Sequence, residues 1–513
     1  MYLKKLSRED VSKLNNKHVY CYEKSVSYLE ELLEKYDLLD NIVGIIDDFK
    51  RNQGSFEVQG KQLGIVGTEY LTTVDVSNAV ILITSDYYKE AYEKLCEIEN
   101  VTASLNKIYY FANAETEIEF AYRDKYADRE LEDIIVFRSG PHSSSYVPGM
   151  DFSDNARALF EYMLANGYNE KYELVWLVKY PEEFARYSQY KNVKFISFDW
   201  SMSEDLQQRD EYYRVLCLAK YFFFTDAYGF ARNCRKDQIR VQLWHGCGFK
   251  TRVNFVRCEK RYEYTTVISD LYARIHADIY GLRDDQVLVT GYAKQDWLFH
   301  PIAAEKLESL GIPLGKKYVF WLPTFRTAKE SLAQLNEQQL ESETGLPIIY
   351  TQEMMRYVDD ILNANNMVLV VKLHPFQDRS MVHCNDYRNI ILLENEQLLK
   401  EDVQINEVLG WADALISDYS SAAVDYLLLN RPIAFTLDDV EAYESSRGFV
   451  FDPIRDWVPG VEVYDAENFC AFIEEVARGE DSSKKKRNEI RNQMYCYWDD
   501  RNCERILTAL DII

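Results

Sequence analysis

A chain of 513 residues that is 47% hydrophobic, with 39 tyrosines and 25 phenylalanines, carries material for roughly two to four folded domains and is not a disordered segment. Its formal net charge of −25 argues against a nucleic-acid partner, which needs a basic face, and against general attraction to an anionic membrane, although a local basic patch would survive that average. No apolar run approaches the roughly 20 residues of a membrane helix, and the strongest, Val215 to Phe224, is interrupted by Lys220.

The first residues include Lys4, Lys5, Arg8, Glu9 and Asp10, with no apolar h-region behind them, so no signal peptide is expected. Ten cysteines are scattered without a CxxC pair, as suits a reducing compartment. The chain therefore reads as cytoplasmic, with room for a peripheral contact at the inner face of the membrane.

In chain order, residues 1–120 predict a small Rossmann-like α/β domain. Strand signals at His18–Cys21, Ile42–Ile46, Ala79–Thr84 and Lys107–Phe111 alternate with helical spacing at Val26–Tyr36 and Tyr87–Ile98. The first strand runs into Tyr22-Glu23-Lys24-Ser25 rather than a glycine-rich turn, which weakens a dinucleotide reading. Asp47 or Asp48 is a ribose ligand or a solvated strand-end carboxylate. A second unit, 121–275, predicts strands at Ile134–Arg138, Leu174–Val178, Val193–Ile196, Tyr221–Phe224 and Val241–Trp244, with a helix at Asp154–Ala165 capped by Ser153 or Asp154. A third, 276–513, predicts strands at Gln286–Thr290, Tyr318–Leu322, Met367–Leu373, Ala414–Ser417 and Pro432–Phe435, and a polar surface loop over 327–347. Alternating elements of this kind imply parallel sheets, and such sheets bind ligands at the carboxyl ends of their strands. Two such units, each with polar motifs at its strand ends, suggest a cleft between lobes.

Several strand-end motifs can carry chemistry. Of seven histidines, two sit where predicted strands end: His245 in Leu243-Trp244-His245-Gly246 and His374 in Lys372-Leu373-His374-Pro375. One such histidine is ordinarily structural, but two in matching settings, one per lobe, favour a general base near neutral pH. Ser417-Asp418-Tyr419-Ser420-Ser421 joins a buried strand to a helix start, where unpaired N–H groups and serine hydroxyls either bind phosphate or merely cap the helix. Arg326, in Pro323-Thr324-Phe325-Arg326, is a phosphate clamp or a surface arginine. Asp438, Asp439 and Glu441 are ribose ligands or a solvated acidic loop. No HExxH, Cys/His ligand spacing, Walker loop or GxSxG elbow occurs, so metal, nucleoside-triphosphate and serine-hydrolase sites find no support.

These motifs closely resemble, in order and spacing, those of the CDP-glycerol glycerophosphotransferases, which include teichoic acid primases and polymerases. The resemblance rests on Trp244-His245-Gly246, Gly291-Tyr292 with Asp296, Pro323-Thr324-Phe325-Arg326, Leu373-His374-Pro375, Ser417 to Ser421, Arg431-Pro432, Arg447-Gly448-Phe449, Ser153-Asp154-Asn155 and Leu218 to Tyr221, over about residues 130–510. It implies a GT-B-like fold of two Rossmann-like lobes with a cleft between them: an acceptor-side lobe over 121–275 and a CDP-alditol-binding lobe over 276–513. It also implies a metal-independent transfer of glycerol phosphate or ribitol phosphate from CDP-glycerol or CDP-ribitol, without a cofactor. The acceptor would be a polyol-phosphate or polysaccharide hydroxyl of teichoic acid or capsule, lipid-linked or not, and CMP is released. His245 resembles the catalytic base and His374 a second essential histidine. Thr324, Arg326, Ser417, Ser420, Ser421 and Gly246 would lie along the diphosphate, and Gly291, Asp439 and Glu441 near the nucleotide. Two positions depart from the family: Cys247-Gly248 stands where Thr-Pro is usual, and Ala293-Lys294 where Pro-Arg is usual. They leave open which alditol is used and keep open a catalytically silent nucleotide-binding scaffold; a nucleotide-sugar glycosyltransferase stays open because a fold does not fix chemistry.

Overall fold

The computed structural model describes residues 1–512 except 15, 49–51, 74, 75, 77, 141–146, 226–229, 232, 252–257, 259, 324–341, 374–379, 381, 384–386 and 447. Three sheets carry the chain, in two compact units, the first consisting mainly of Met1–Leu131 and Phe198–Leu218.

The first sheet holds β1 (Tyr2–Lys5), β2 (His18–Tyr22), β3 (Ile42–Ile46), β4 (Gly54–Val58), β5 (Lys61–Val66), β6 (Ala79–Ile83) and β7 (Lys107–Tyr110). Its order is β1-β7-β6-β2-β3-β5-β4, parallel except where β4 runs antiparallel to β5 in a hairpin. Strand order reverses beside β2, which is where such sheets bind ligands. Both acidic residues after β3 are engaged by the protein itself. Asp47 accepts the Lys24 N–H at 2.9 Å and the Asn52 amide at 3.0 Å, and Asp48 accepts the Thr68 N–H at 2.7 Å and pairs with Lys94.

The second sheet holds β8 (Glu132–Arg138), β9 (Glu173–Val178), β10 (Val193–Ser197), β11 (Ala219–Phe224), β12 (Ile239–Gln242), β13 (Tyr264–Val267) and β14 (Val287–Val289). It is parallel throughout, in the order β10-β9-β8-β11-β12-β13-β14. The third holds β15 (Lys317–Leu322), β16 (Met367–Lys372), β17 (Ile390–Leu393), β18 (Ala414–Ser417), β19 (Ile433–Thr436) and β20 (Val461–Val463). Its order, β17-β16-β15-β18-β19-β20, is that of a dinucleotide-binding sheet, with its switch point between β15 and β18. The continuous apolar run of β16, buried at every position, is what a strand covered on both faces requires.

The lobe built on the second sheet has an aromatic core. Trp176 is fully buried and donates its indole N–H to the Asp151 carbonyl at 2.7 Å. Its ring stacks on Phe137 at 5.5 Å and meets Phe152 at 4.7 Å and Phe160 at 5.4 Å. The last helix, Asn502–Ala509, returns to this lobe: Cys503, Ile506, Leu507 and Leu510 join its core cluster.

Most predicted strands are present, with two corrections. The strand expected at Gln286–Thr290 in the 276–513 unit is β14, which pairs with β13 at the edge of the second sheet. The other correction bears on the site. β12 ends at Gln242 instead of Trp244, because Trp244 turns into the left-handed region at φ 49°. His245 therefore stands on a loop beyond the strand rather than at its last pleat. Strands β1, β4, β5, β13 and β20, which are short and interrupted by polar residues, were not expected from the sequence, nor was β17, an apolar run of only four residues.

Replacing Trp176 by Ala is expected to lower unfolding stability by about 3–5 kcal/mol, the range for emptying a large aromatic from a packed core. A shift of that size in the denaturant midpoint checks it.

Candidate functional site

The site begins with a loop that two left-handed residues make possible. Trp244 at φ 49° turns the chain out of β12, and Gly246 at φ 138° takes a conformation open in practice only to glycine. A Cβ at Gly246 would lie 3.4 Å from Ser421 Cβ and 3.6 Å from its Oγ, and one at Gly248 would lie 3.7 Å from the Ser421 nitrogen. The His245–Gly248 loop of one lobe thus rests on the first residue of the Ser421–Tyr426 helix of the other.

Asn155 fixes this loop from below. It is fully buried, and its amide donates to the carbonyls of Leu243 at 3.2 Å and Trp244 at 2.7 Å. Its carbonyl accepts the Lys294 N–H at 3.0 Å. One side chain therefore registers the histidine loop against the turn that starts at Ala293, and satisfies three backbone groups that burial would otherwise orphan.

The neighbouring residue supplies the charge. Asp154 opens the Asp154–Ala165 helix with φ 60°, and its Oδ2 lies 2.7 Å from His245 Nδ1. Its Oδ1 lies 3.1 Å from Lys294 Nζ. Burial would push the Asp154 carboxyl up, but the Lys294 charge and the His245 bond outweigh it and hold it at about 2. Lys294 also donates to the His245 carbonyl and reaches Asp425 Oδ2 at 3.7 Å. Burial disfavours its charge, yet Asp154 and Asp425 together hold its pKa above the usual lysine value. Asp425 is almost wholly buried on the Ser421–Tyr426 helix and accepts the Gln295 amide at 2.7 Å. Burial raises its carboxyl despite Lys294 and Gln295. The half-exposed His245 ring is thus backed by an ionised carboxylate and a buried ammonium.

The other site residues expected from sequence fall in varied places. Ser417 is fully buried at the end of β18 and donates its hydroxyl to the Leu322 carbonyl at 3.2 Å. Ser420 caps the helix by accepting the Ala422 N–H at 3.3 Å, and Ser421 lies against Gly246. Asp439 accepts the Tyr419 hydroxyl at 3.1 Å, next to the packed rings of Tyr419, Tyr443 and Phe449. Glu441 is exposed and pairs with Arg455 at 3.4 Å. Gly291, at φ 81°, packs so closely that a Cβ there would come within 2.0 Å of Asn502 Oδ1. Asp296, in the turn that follows, accepts the Asn502 and Cys503 N–H groups at 3.0 and 2.9 Å. Those bonds anchor the returning C-terminal helix. Thr324, Arg326 and His374 lie outside the described residues, as do Phe325 and Arg447; the strands that lead to the first three, β15 and β16, are neighbours in the sheet, and β15 pairs with β18.

Sequence reasoning noted Ser153-Asp154-Asn155 as a helix start and Lys294 as a departure from a family pattern, but gave neither Asp154, Asn155, Lys294 nor Asp425 a role in the site. A polar residue pair at a helix start and a lone lysine in a loop were the only local signals. Among the described residues, no group of three or more His, Cys, Asp or Glu is placed to hold a metal ion, and no helix is long and apolar enough to cross a membrane.

Two parallel Rossmann-type sheets, with a histidine loop of one resting on the switch-point helix of the other, define a GT-B-type core. The chain belongs to the CDP-glycerol:poly(glycerophosphate) glycerophosphotransferase family, whose model matches residues 134–511. Among curated proteins it is similar to the teichoic acid ribitol-phosphate polymerase TarK of Staphylococcus aureus, at 25% identity over 61% of this chain and 61% of that protein. It is also similar to the teichoic acid glycerol-phosphate primase of Bacillus subtilis, at 27% identity over 51% of this chain and 65% of that one. The match thus spans 61% and 52% of the length of the two S. aureus ribitol-phosphate polymerases, TarK and TarL. The fold is shared with the wall teichoic acid polymerase TagF, with a TM-score of 0.57 at 17% identity over 83% of this chain and 98% of that chain.

Gly291→Ala is expected to cost about 1–3 kcal/mol through its left-handed backbone and the displaced Asn502, seen as a lowered Tm with an unchanged KM for the nucleotide substrate. A raised KM at unchanged Tm would instead assign Gly291 to substrate binding.

Proposed function

We propose that this protein transfers glycerol phosphate or ribitol phosphate from a CDP-alditol to a hydroxyl of a cell-envelope polymer, teichoic acid or capsular polysaccharide, releasing CMP. The observation that carries the reading is the seating of the His245–Gly246 loop on Ser421, at the switch point of the opposite lobe. A base carried on that loop would meet the switch point of the other lobe's sheet, the position at which such sheets bind nucleotides. The relatives named above act on both alditols by their names, so family membership supports the reaction class and leaves the alditol to experiment. A histidine-to-asparagine variant of TagF has been solved with CDPG.

In the proposed reaction the acceptor hydroxyl gives its proton to His245 as its oxygen forms a bond to the distal phosphorus. The bond from that phosphorus to the bridging oxygen breaks, and CMP leaves with the electron pair. Such transfers are governed by positioning and by stabilising the charge that spreads over the phosphoryl oxygens. Ser420 and Ser421 at the helix start are proposed to line the diphosphate, with Thr324, Arg326 and His374 from the neighbouring strand ends neutralising it. Asp439, beyond β19, is the carboxylate proposed for the ribose. The acceptor is proposed to be a polyol-phosphate or polysaccharide chain, reached from the cytoplasmic side of the membrane.

The test is CMP release from CDP-glycerol and, in parallel, from CDP-ribitol, with a synthetic polyol-phosphate acceptor and EDTA present. Acceptor-dependent release from one donor is expected, and His245→Ala is expected to lower kcat by about 10²–10⁴-fold, the contribution typical of a positioned general base. No release from either donor, with a nucleotide sugar consumed instead, would overturn the reading.

A further inference from the structure

We propose that Asp154 is the positioning residue of His245, holding its proton on Nδ1 so that Nε2 acts as the base, and that Lys294 is the cation that sets the proton affinity of this pair. The inference rests on the reading of His245 as the base and extends it to two residues from separate elements, a helix start and a turn.

The geometry carries the first half. An ionised carboxylate only accepts hydrogen bonds, so the 2.7 Å contact between Asp154 Oδ2 and His245 Nδ1 requires the hydrogen to sit on Nδ1. That tautomer assigns proton uptake to Nε2. The pair is held in place rather than fortuitous. Asp154 keeps a left-handed backbone at φ 60° and Trp244 one at φ 49°, conformations that non-glycine residues hold only when their surroundings impose them. What imposes them is on either side: Asn155 bonds the Leu243 and Trp244 carbonyls, and the Asp154 N–H donates to Gln404 Oε1 at 3.3 Å.

The charges carry the second half. Among the described residues, the charged groups facing His245 and Asp154 come from three elements: Asp154 itself, Lys294 from the turn after Tyr292, and Asp425 from the Ser421–Tyr426 helix. Neutral neighbours among the described residues include Asn155, whose N–H donates to Asp154 Oδ1 at 2.8 Å, with Gln295, Gln404 and Ser421. Lys294 is only 11% exposed and lies 3.1 Å from the carboxylate that holds the imidazole. A cation so placed keeps Asp154 ionised, and it lowers the affinity of His245 for a second proton. Without Lys294, the Asp154 carboxylate would act on the imidazole without that cation beside it, and the imidazolium would persist to higher pH. The enzyme would then be short of free base near neutrality.

The two variants therefore move the acid limb of the kcat/KM profile in opposite directions, which a merely structural role for either residue would not do. Asp154→Asn removes the anion that favours imidazolium, so the limb moves to lower pH. It also offers Nδ1 an amide donor in place of an acceptor, so kcat falls by about 10²–10⁴-fold, the contribution of the base it disables. Lys294→Met removes the cation, so the limb moves to higher pH, and Lys294→Arg, which keeps the charge, returns it towards the wild-type position.

The same claim is read without turnover from the ¹⁵N spectrum of the histidine rings, with His245 identified by its loss in His245→Gln. Neutral His245 is expected to carry its proton on Nδ1 in the wild type and to lose that preference in Asp154→Asn, with its titration midpoint falling there and rising in Lys294→Met. A wild-type proton on Nε2, or a midpoint unmoved by both variants, would overturn the proposal. The spectrum separates this failure from failure of the proposed reaction. A pair that behaves as expected in a protein releasing no CMP would sink only the reaction. CMP release lost in His245→Ala but unchanged in Asp154→Asn would sink only the pair.

Discussion

An ammonium group shut between two carboxylates is costly to bury and costlier to break, because removing the cation leaves two carboxylates facing each other away from water. Lys294 stands in that position between Asp154 of one lobe and Asp425 of the other. The arrangement sets the spacing of the lobes at the point where they meet. The histidine loop, the start of the Asp154–Ala165 helix and the Ser421–Tyr426 helix all converge there, and none of the three could shift without stretching a charged contact. Much of the local conformation can be read as the accommodation this triad demands: a glycine at 246, left-handed backbone at Trp244 and Asp154, and an asparagine whose amide holds three backbone groups at once.

The two lobes are joined a second time by the end of the chain. The Asn502–Ala509 helix leaves the third sheet's side and packs into the aromatic core of the second, capped by Asp296 from the same turn that carries Lys294. Burial raises the Asp296 carboxyl to about 6 even with two backbone N–H donors, so its ionised form is maintained at some expense near the site. One short turn thus performs two tasks: Lys294 and Gln295 face the histidine loop and the switch-point helix, and Asp296 faces the closing helix. Close packing of Gly291 on Asn502 leaves that turn little freedom. A transfer reaction governed by placement benefits from a rigid turn of this kind, since an error of about 1 Å in a reacting group can cost a hundredfold in rate.

The departures from the family pattern acquire physical content in this setting. Cys247 is buried, with its sulfur 3.3 Å from the Tyr292 hydroxyl and 3.7 Å from His276 Nε2, and burial pushes its thiol up to about 12. It is a packing group beneath the loop rather than a nucleophile. Lys294 keeps a cation where the resemblance predicts an arginine, and a compact ammonium suits a gap between two carboxylates that differ in distance, 3.1 and 3.7 Å.

Sequence alone determined the strands that are long and apolar, their alternation with helices, and hence parallel sheets with polar motifs at the carboxyl ends, because those features follow from local periodicity. β3 and β18 were legible to the residue, and so was the Asp154–Ala165 helix. Short strands such as β13 and β20 were not, since three or four residues leave no period to detect, and they exist because neighbouring strands offer them partners. His245 and Ser421 stood out in the sequence by their places at strand ends, but the meeting of their two loops was not legible. Asp154 and His245 are 91 residues apart, and a contact between loops of different elements leaves no trace in the spacing of either. Which carboxylate backs the histidine, which lysine lies beside it, and which serine meets the histidine loop while the others cap a helix and tie a sheet were decided by tertiary structure, because charge pairing depends on distance in space and on the removal of water.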